Sequence, residues 1–355
     1  MYFLRLLSTY MMLLLLAGCA LSPAIPSERY FWPPPPDRPR VEWLKAYSSQ
    51  LDLEKSDMQR FMSAIVGDDA PISLVKPIEV KSDPANNKFF VSDIGASAVY
   101  VFDQKKNVLR FLSTGEDGPP IANPLGLALD GSNNLYVLER RFNNIIVFDQ
   151  NERKIRAFNL DKIARKPLAL AIDKQKGHLI ITDGATNKVH VLDLSGNPLF
   201  SFGGPGADNG GFNLPIAVTI NSRGEIIVAD TFNARVQVFA PNGQFLRTFG
   251  KRGDGLGDFQ LIKSLAVDSD DNIYVVDGRA NRILVFNTSG ELLLAIGDYY
   301  AVSTTGKLAP GGFAIPIGID IDSTDRIYVV DQLNARVQVF QYLSERRPPG
   351  QPAGK

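Results

Sequence analysis

The sequence predicts an all-β fold, a six-bladed β-propeller, and three observations carry that prediction. One unit recurs six times along the 355 residues. Each unit holds short apolar runs of alternating character separated by turns of Gly, Asn and Asp, as expected of small antiparallel sheets. The last unit lacks its fourth run, and a matching run stands upstream of the first unit. Repeats of about 40–50 residues with four strands each are propeller blades, and a borrowed strand closes such a ring.

The chain opens with an address. Residues 1–18 carry Arg5 and the apolar run Met11 to Leu16, which has signal-peptide length and is too short to span a bilayer as a helix. The run ends in Leu16-Ala17-Gly18-Cys19, which resembles the lipobox of bacterial lipoproteins. The resemblance implies cleavage before Cys19 and lipidation of its thiol and freed amine. Cys19 is the single Cys of the chain, so no intramolecular disulfide competes with this assignment. Several acyl chains hold a protein on a membrane, each buried CH₂ contributing about 0.8 kcal/mol. Ala20 after the Cys resembles the outer-membrane sorting pattern of Gram-negative cells, so an extracytoplasmic, periplasm-facing location is expected. Residues 19–40 are rich in proline and are expected to form an extended tether.

The next segment, residues 41–47 (VEWLKAY), matches the outer-strand pattern of residues 244–249 (QFLRTF) and is expected to complete blade 6. Residues 48–76 then form the 6→1 connection. Met58, Phe61, Met62 and Ile65 fall at helical spacing before Gly67, which predicts a short helix over 56–66, either a fixed plug or a lid at the channel mouth.

The six units open at Pro77, Pro124, Pro167, Pro215, Ile262 and Pro316, at spacings of 47, 43, 48, 47 and 54. An acid follows 15 or 16 residues later: Asp93, Glu139, Asp183, Asp230, Asp277 and Asp331. Nine residues further stands Phe102, Phe148, Leu192, Phe239, Phe286 or Phe340. Residues 226–250 (IIVADTFNARVQVFAPNGQFLRTFG) and 273–297 (IYVVDGRANRILVFNTSGELLLAIG) resemble NHL repeats, a family of propeller blades, and the resemblance extends over residues 72–343. It departs where blade 1 has Ala98 in place of Arg235, Arg282 and Arg336, and where blade 2 has Glu139 for Asp. The propeller domain is thus expected over 41–343, with a disordered tail over 344–355.

Composition excludes several functions. Lys plus Arg and Asp plus Glu balance at 38 each, which argues against nucleic-acid binding through bulk charge. Two His residues are too few for a zinc centre of the usual ligands. No cofactor is expected, since no cofactor fingerprint is present; a Ca²⁺ held by oxygen ligands is compatible with the composition, but no motif supports it.

Six near-equivalent acids suit a repeated scaffold task, capping turn amides and pairing with Lys188, Arg235, Arg282 or Arg336. The irregular residues point to function. Outer-to-inner connections and second-to-third-strand loops emerge on one face, here called the top. There lie Arg140, Arg141 and Phe142, Phe232, Arg279, and Tyr299 and Tyr300 in the 5→6 connection, whose unit is 54 residues long. The Arg140–Arg141 pair is a candidate for holding a carboxylate or phosphate. Along the inner strands, the second and fourth positions after the opening residue are mostly Gly or Ala. Glu79, Lys81 and Asp320 are exceptions on neighbouring blades, and are expected to form either an ion-pair network or a polar pocket in the channel.

Two functions follow. One is a non-enzymatic binding module, a monomeric propeller joined to the membrane by its anchor alone, taking a protein or peptide on its top face. The other is a metal-dependent hydrolase or lyase with a channel site at Glu79, Lys81 and Asp320.

Overall fold

A computed structural model describes residues 29–54, 70–115, 121–302 and 309–344. Cys19, the signal segment, the helix expected at 56–66 and residues 345–355 lie outside the described residues. Among those described, no helix is long and apolar enough to cross a membrane.

Two strands precede the repeats, β1 (Phe31–Trp32) and β2 (Val41–Tyr47). Blade 1 comprises β3 (Pro77–Asp83), β4 (Lys88–Asp93), β5 (Ala98–Asp103) and β6 (Val108–Phe111). Blade 2 follows as β7 (Pro124–Leu129), β8 (Leu135–Glu139), β9 (Asn144–Phe148) and β10 (Lys154–Asn159). Blade 3 is β11 (Pro167–Asp173), β12 (His178–Asp183), β13 (Lys188–Asp193) and β14 (Pro198–Gly203). Blade 4 is β15 (Pro215–Ile220), β16 (Ile226–Asp230), β17 (Arg235–Phe239) and β18 (Phe245–Phe249). Blade 5 is β19 (Ile262–Val267), β20 (Ile273–Asp277), β21 (Arg282–Phe286) and β22 (Leu292–Ile296). A short parallel pair, β23 (Asp298–Tyr299) and β24 (Gly312–Phe313), brackets the 5→6 connection. Blade 6 holds β25 (Pro316–Ile321), β26 (Arg326–Asp331) and β27 (Arg336–Tyr342).

In every blade the strands pair in sequence order from the inside outward. In blade 6 the fourth place is taken by β2, antiparallel to β27. The registers of blades 4 and 6 correspond position by position. Trp43 faces Phe340 beside a bulge, as Phe245 faces Phe239, and Tyr47 faces Val337 as Phe249 faces Val236. The inner strands β3, β7, β11, β15, β19 and β25 contact each other in a cycle that returns from β25 to β3.

The chain also packs earlier than the composition of the tether suggests. β1 adds to β2 as a fifth strand, and Trp32 covers Gly311, where an added Cβ would lie 2.1 Å from the ring. Residues 31–40 therefore belong to the folded body.

The core is divided among the blade interfaces. Six clusters of buried apolar side chains form, one at each junction. Alternation explains how a strand feeds two of them: Phe89 and Val91 face blade 6, whereas Phe90 between them faces blade 2. Two glycine devices lock the wedges. Gly203, Gly250 and Gly297 end their outer strands with φ of +86°, +88° and +96°, and Phe212, Phe259 and Phe313 lie where a Cβ would be, 2.4, 2.1 and 2.4 Å away. Likewise Phe158, Phe202 and Phe249 rest on Gly196, Gly243 and Gly290 in the turn of the following blade. At the junction of blades 1 and 2 the device is ionic, with Glu152 receiving Arg110 and Lys88.

The repeated acids cap turns, as expected. Asp93 accepts from the backbone N–H groups of Val75, Lys76, Gly95 and Ala96, and Asp183 from Arg165, Lys166 and Ala185. The expected ion pairs form only in part. Arg235 and Arg336 bind Asp230 and Asp331 at 2.8 Å. Arg282 instead donates to the carbonyls of Gly255 and Asp258, and in blade 3 the group facing Asp183 is His190, at 3.7 Å, rather than Lys188. Burial lowers the His190 pKa.

Candidate binding face and central channel

A bulge falls at the second residue of the inner strand in five blades, as between Pro77 and Glu79, and in blade 2 the irregularity spans Leu125 and Gly126. A bulged residue lacks a cross-strand partner and its side chain is re-aimed. Here it turns to the axis: Ile78, Leu125, Leu168, Ile216, Lys263 and Ile317 all line the central cavity, whose volume is about 670 Å³. Five aliphatics and one lysine thus form the upper collar.

Below the collar lie the three charges singled out in the sequence. Lys81 Nζ meets Asp320 Oδ1 at 2.5 Å, and the Ser82 N–H donates to Asp320 Oδ2 at 2.8 Å, joined there by the Ser82 hydroxyl. Both oxygens of Asp320 are therefore engaged. Glu79 sits against Gly318, where a Cβ would come within 2.9 Å of its Oε1. Its carboxyl accepts the N–H of Val80 at 3.1 Å. Burial, with Asp320 nearby, pushes the Glu79 pKa up to about 8, although part of its surface faces the channel. Burial thus favours the neutral form of Glu79 around pH 7. Lys81 and Asp320 form an ion pair, and all three charged residues line the cavity. Among the described residues no group of three His, Cys, Asp or Glu stands at metal-binding spacing.

On the top face the expected residues are spread round the ring rather than gathered. Phe142, in the β8–β9 loop, is 42% exposed and lies under Arg141, with 5.8 Å from guanidinium carbon to ring centroid. Arg140 points elsewhere and lines the channel. The adjacent arginines do not form one clamp. Phe232 is 52% exposed, and its carbonyl accepts from Arg252. The Arg279 carbonyl receives Asn281 Nδ2. Tyr299 is 65% exposed, whereas Tyr300 is half-buried over Gly312 and its carbonyl accepts from Asn334. Leu256 and Leu333, overlooked in the sequence, extend the same face and are among the most exposed apolar side chains described.

The distribution separates the two faces. Every large apolar side chain exposed among the described residues lies on an outer strand, on the 6→1 connection, or on a top-face loop. None lies on a first-to-second or third-to-fourth strand turn. Those turns are closed by Asp and Asn side chains, as where Asp130, Asp193 and Asp268 cap their own loops.

Lys263 is not among the residues that the repeat pattern singles out. Its signal was present, an ammonium where the other five blades carry Ile or Leu, but only the bulge reveals that this position faces the axis.

Comparison with known proteins agrees with this architecture, and the chain is a six-bladed β-propeller. A family model described as DUF5128, 6-bladed beta-propeller, matches residues 216–297. No curated protein matches the chain in sequence. Among solved structures, a structural-genomics protein of unknown function from Bacteroides thetaiotaomicron VPI-5482 is similar, with 14% identity, a TM-score of 0.59, and coverage of 83% of this chain and 75% of that one. Virginiamycin B lyase from Staphylococcus aureus is similar at 13% identity, with a TM-score of 0.54 and coverage of 79% and 86%. A streptogramin B lyase is similar at 11% identity, with a TM-score of 0.53 and coverage of 76% and 94%. These likenesses are of fold.

Proposed function

We propose that this chain is a lipid-anchored, extracytoplasmic binding module that takes a protein or peptide partner on its top face and carries out no reaction on it. The observation that carries the reading is the confinement of exposed apolar loop residues, Phe142, Phe232, Leu256, Tyr299 and Leu333, to that face. Exposed aromatic and aliphatic side chains on loops held by a rigid scaffold are the usual material of interfaces. The anchor rests on the sequence around Cys19, whose acyl chains would hold the propeller at a membrane surface, the outer membrane facing the periplasm in a Gram-negative cell.

Two similar folds belong to proteins named as lyases, so a hydrolase or lyase centre in the channel is the competing function. The donor set argues against one built on Glu79, Lys81 and Asp320. Asp320 is committed to Lys81 and Ser82, and burial shifts Glu79 toward its protonated form. A metal ion there would have to displace the Lys81 ammonium from Asp320.

The test is co-purification from native membranes of the parent chain and of a Phe232→Ser, Tyr299→Ser double variant. The expected result is a stoichiometric protein in the parent preparation, reduced at least tenfold in the variant, with an unchanged thermal transition. Equal recovery, or a stoichiometric metal ion and no protein, would refute the proposal.

A further inference from the structure

The channel mouth holds a cation that no acid among the described residues pairs with. Lys263 stands at the bulge of β19, in the collar otherwise made by Ile78, Leu125, Leu168, Ile216 and Ile317. Its stem is held in place, since a Cβ on Gly278 would lie 2.6 Å from Lys263 Cγ. No carboxylate pairs with its ammonium among the described residues, although Lys81, Lys88, Arg235 and Arg336 all have acid partners. Burial alone lowers its pKa. Lys174 and Arg140 also face the cavity without an ion-pair partner among the described residues. Four cations, Lys81, Arg140, Lys174 and Lys263, thus face three acids, Glu79, Asp173 and Asp320. Asp173 caps its own turn and Asp320 is taken by Lys81. Lys263 is therefore the one cation of the collar itself, and no acid pairs with it among the described residues.

We infer that the mouth of the channel is a binding site for a small aliphatic monocarboxylate, its carboxylate on Lys263 Nζ and its alkyl part against the aliphatic collar. A half-buried ammonium without a counter-ion gains a charge-assisted hydrogen bond from such an anion. The five aliphatics give up water-exposed surface at about 25 cal/mol per Å². One ammonium in an apolar ring matches a monoanion with a hydrocarbon body better than a dianion, which would leave charge unpaired against the aliphatics. A volume of about 670 Å³ lies in the usual range of small-molecule sites.

The test is calorimetry on the full lipidated chain in lipid nanodiscs, with empty nanodiscs as the blank. The probes are hexanoate, the isosteric neutral hexanamide, and inorganic phosphate. The expected result is one hexanoate per chain, bound at least tenfold more tightly than hexanamide. Lys263→Met should remove that preference, Lys263→Arg should keep it, and Lys251→Met, on an exposed loop, should leave it unchanged. No hexanoate binding, equal binding of acid and amide, or an unaltered preference in Lys263→Met would overturn the site. Displacement of hexanoate by equimolar phosphate would overturn the assignment to an aliphatic acid.

Discussion

Glu79 shows how one residue can report the electrostatics of the channel. A carboxyl whose folded pKa is raised contributes stability that is complete below its unfolded value of about 4.5 and is lost as pH rises through about 8. Its neighbours Asp320 and Lys81 act in opposite directions, the first raising and the second lowering it, with burial dominant. Glu79→Gln removes the titration while keeping the shape. The variant should match the parent at pH 4 and exceed it at pH 9 by about 2 kcal/mol after allowance for water in the channel, read from denaturant midpoints at the two pH values. A constant difference across that range would contradict a raised pKa. Gly250 offers a second residue-level test. Its φ of +88°, and a Phe259 ring only 2.1 Å from where a methyl group would stand, leave no room for a side chain. Gly250→Ala should cost about 2–4 kcal/mol in chemical unfolding, combining backbone strain with overpacking. Phe stands nine residues after Gly both at Gly203–Phe212 and at Gly250–Phe259, an interval that the sequence itself displays. Lys263 was not legible, because alternation alone assigns the collar position no particular direction and only a bulge turns it to the axis.

At the scale of the element, the recurring acids and the closing strand carry the fold. Asp93 satisfies four backbone N–H groups, so Asp93→Ala leaves buried donors unpaired and should destabilise the propeller by roughly 3 kcal/mol or more. Partner recovery at a temperature where the variant is folded should be unchanged, whereas a catalytic acid would lose function before stability. β2 is tied to the opposite end of the repeat array. Tyr47 packs on Phe89 and Phe102 with centroids at 5.2 and 5.8 Å, and its hydroxyl accepts from Gln104 of blade 1 at 2.6 Å. A proline at Ala46 interrupts β2 opposite Gln338 and should cost about 3 kcal/mol, seen as one cooperative transition shifted down in midpoint. A separate early transition confined to blade 6 would instead show that β2 is a loose addition. The match between residues 41–47 and 244–249 made this strand visible in sequence. β1 was hidden, since proline-rich flanks read as a spacer and two residues are too few to show a period.

For the whole molecule, six interblade wedges make a body whose two faces differ in chemistry. The lower turns are closed by their own Asp and Asn side chains. The upper loops present Phe142, Phe232, Leu256, Tyr299 and Leu333 around a channel whose collar holds Lys263. The repeat made the fold readable because six copies of one pattern reinforce each other. The site was less readable because it consists of departures from that pattern, and each departure has a single copy. Blade number, strand order and the identity of the top face all followed from the spacing. The partition of Arg140 to the channel and Arg141 to Phe142 required coordinates. The most direct test of the binding-module account is photo-crosslinking in the native cell from Tyr299, with Lys176 on a lower-face turn as the control, followed by mass spectrometry of the adducts. The account predicts one discrete protein adduct at 299 and none at 176. Equal adducts at both positions, or none at 299 in cells that make the protein, would contradict it.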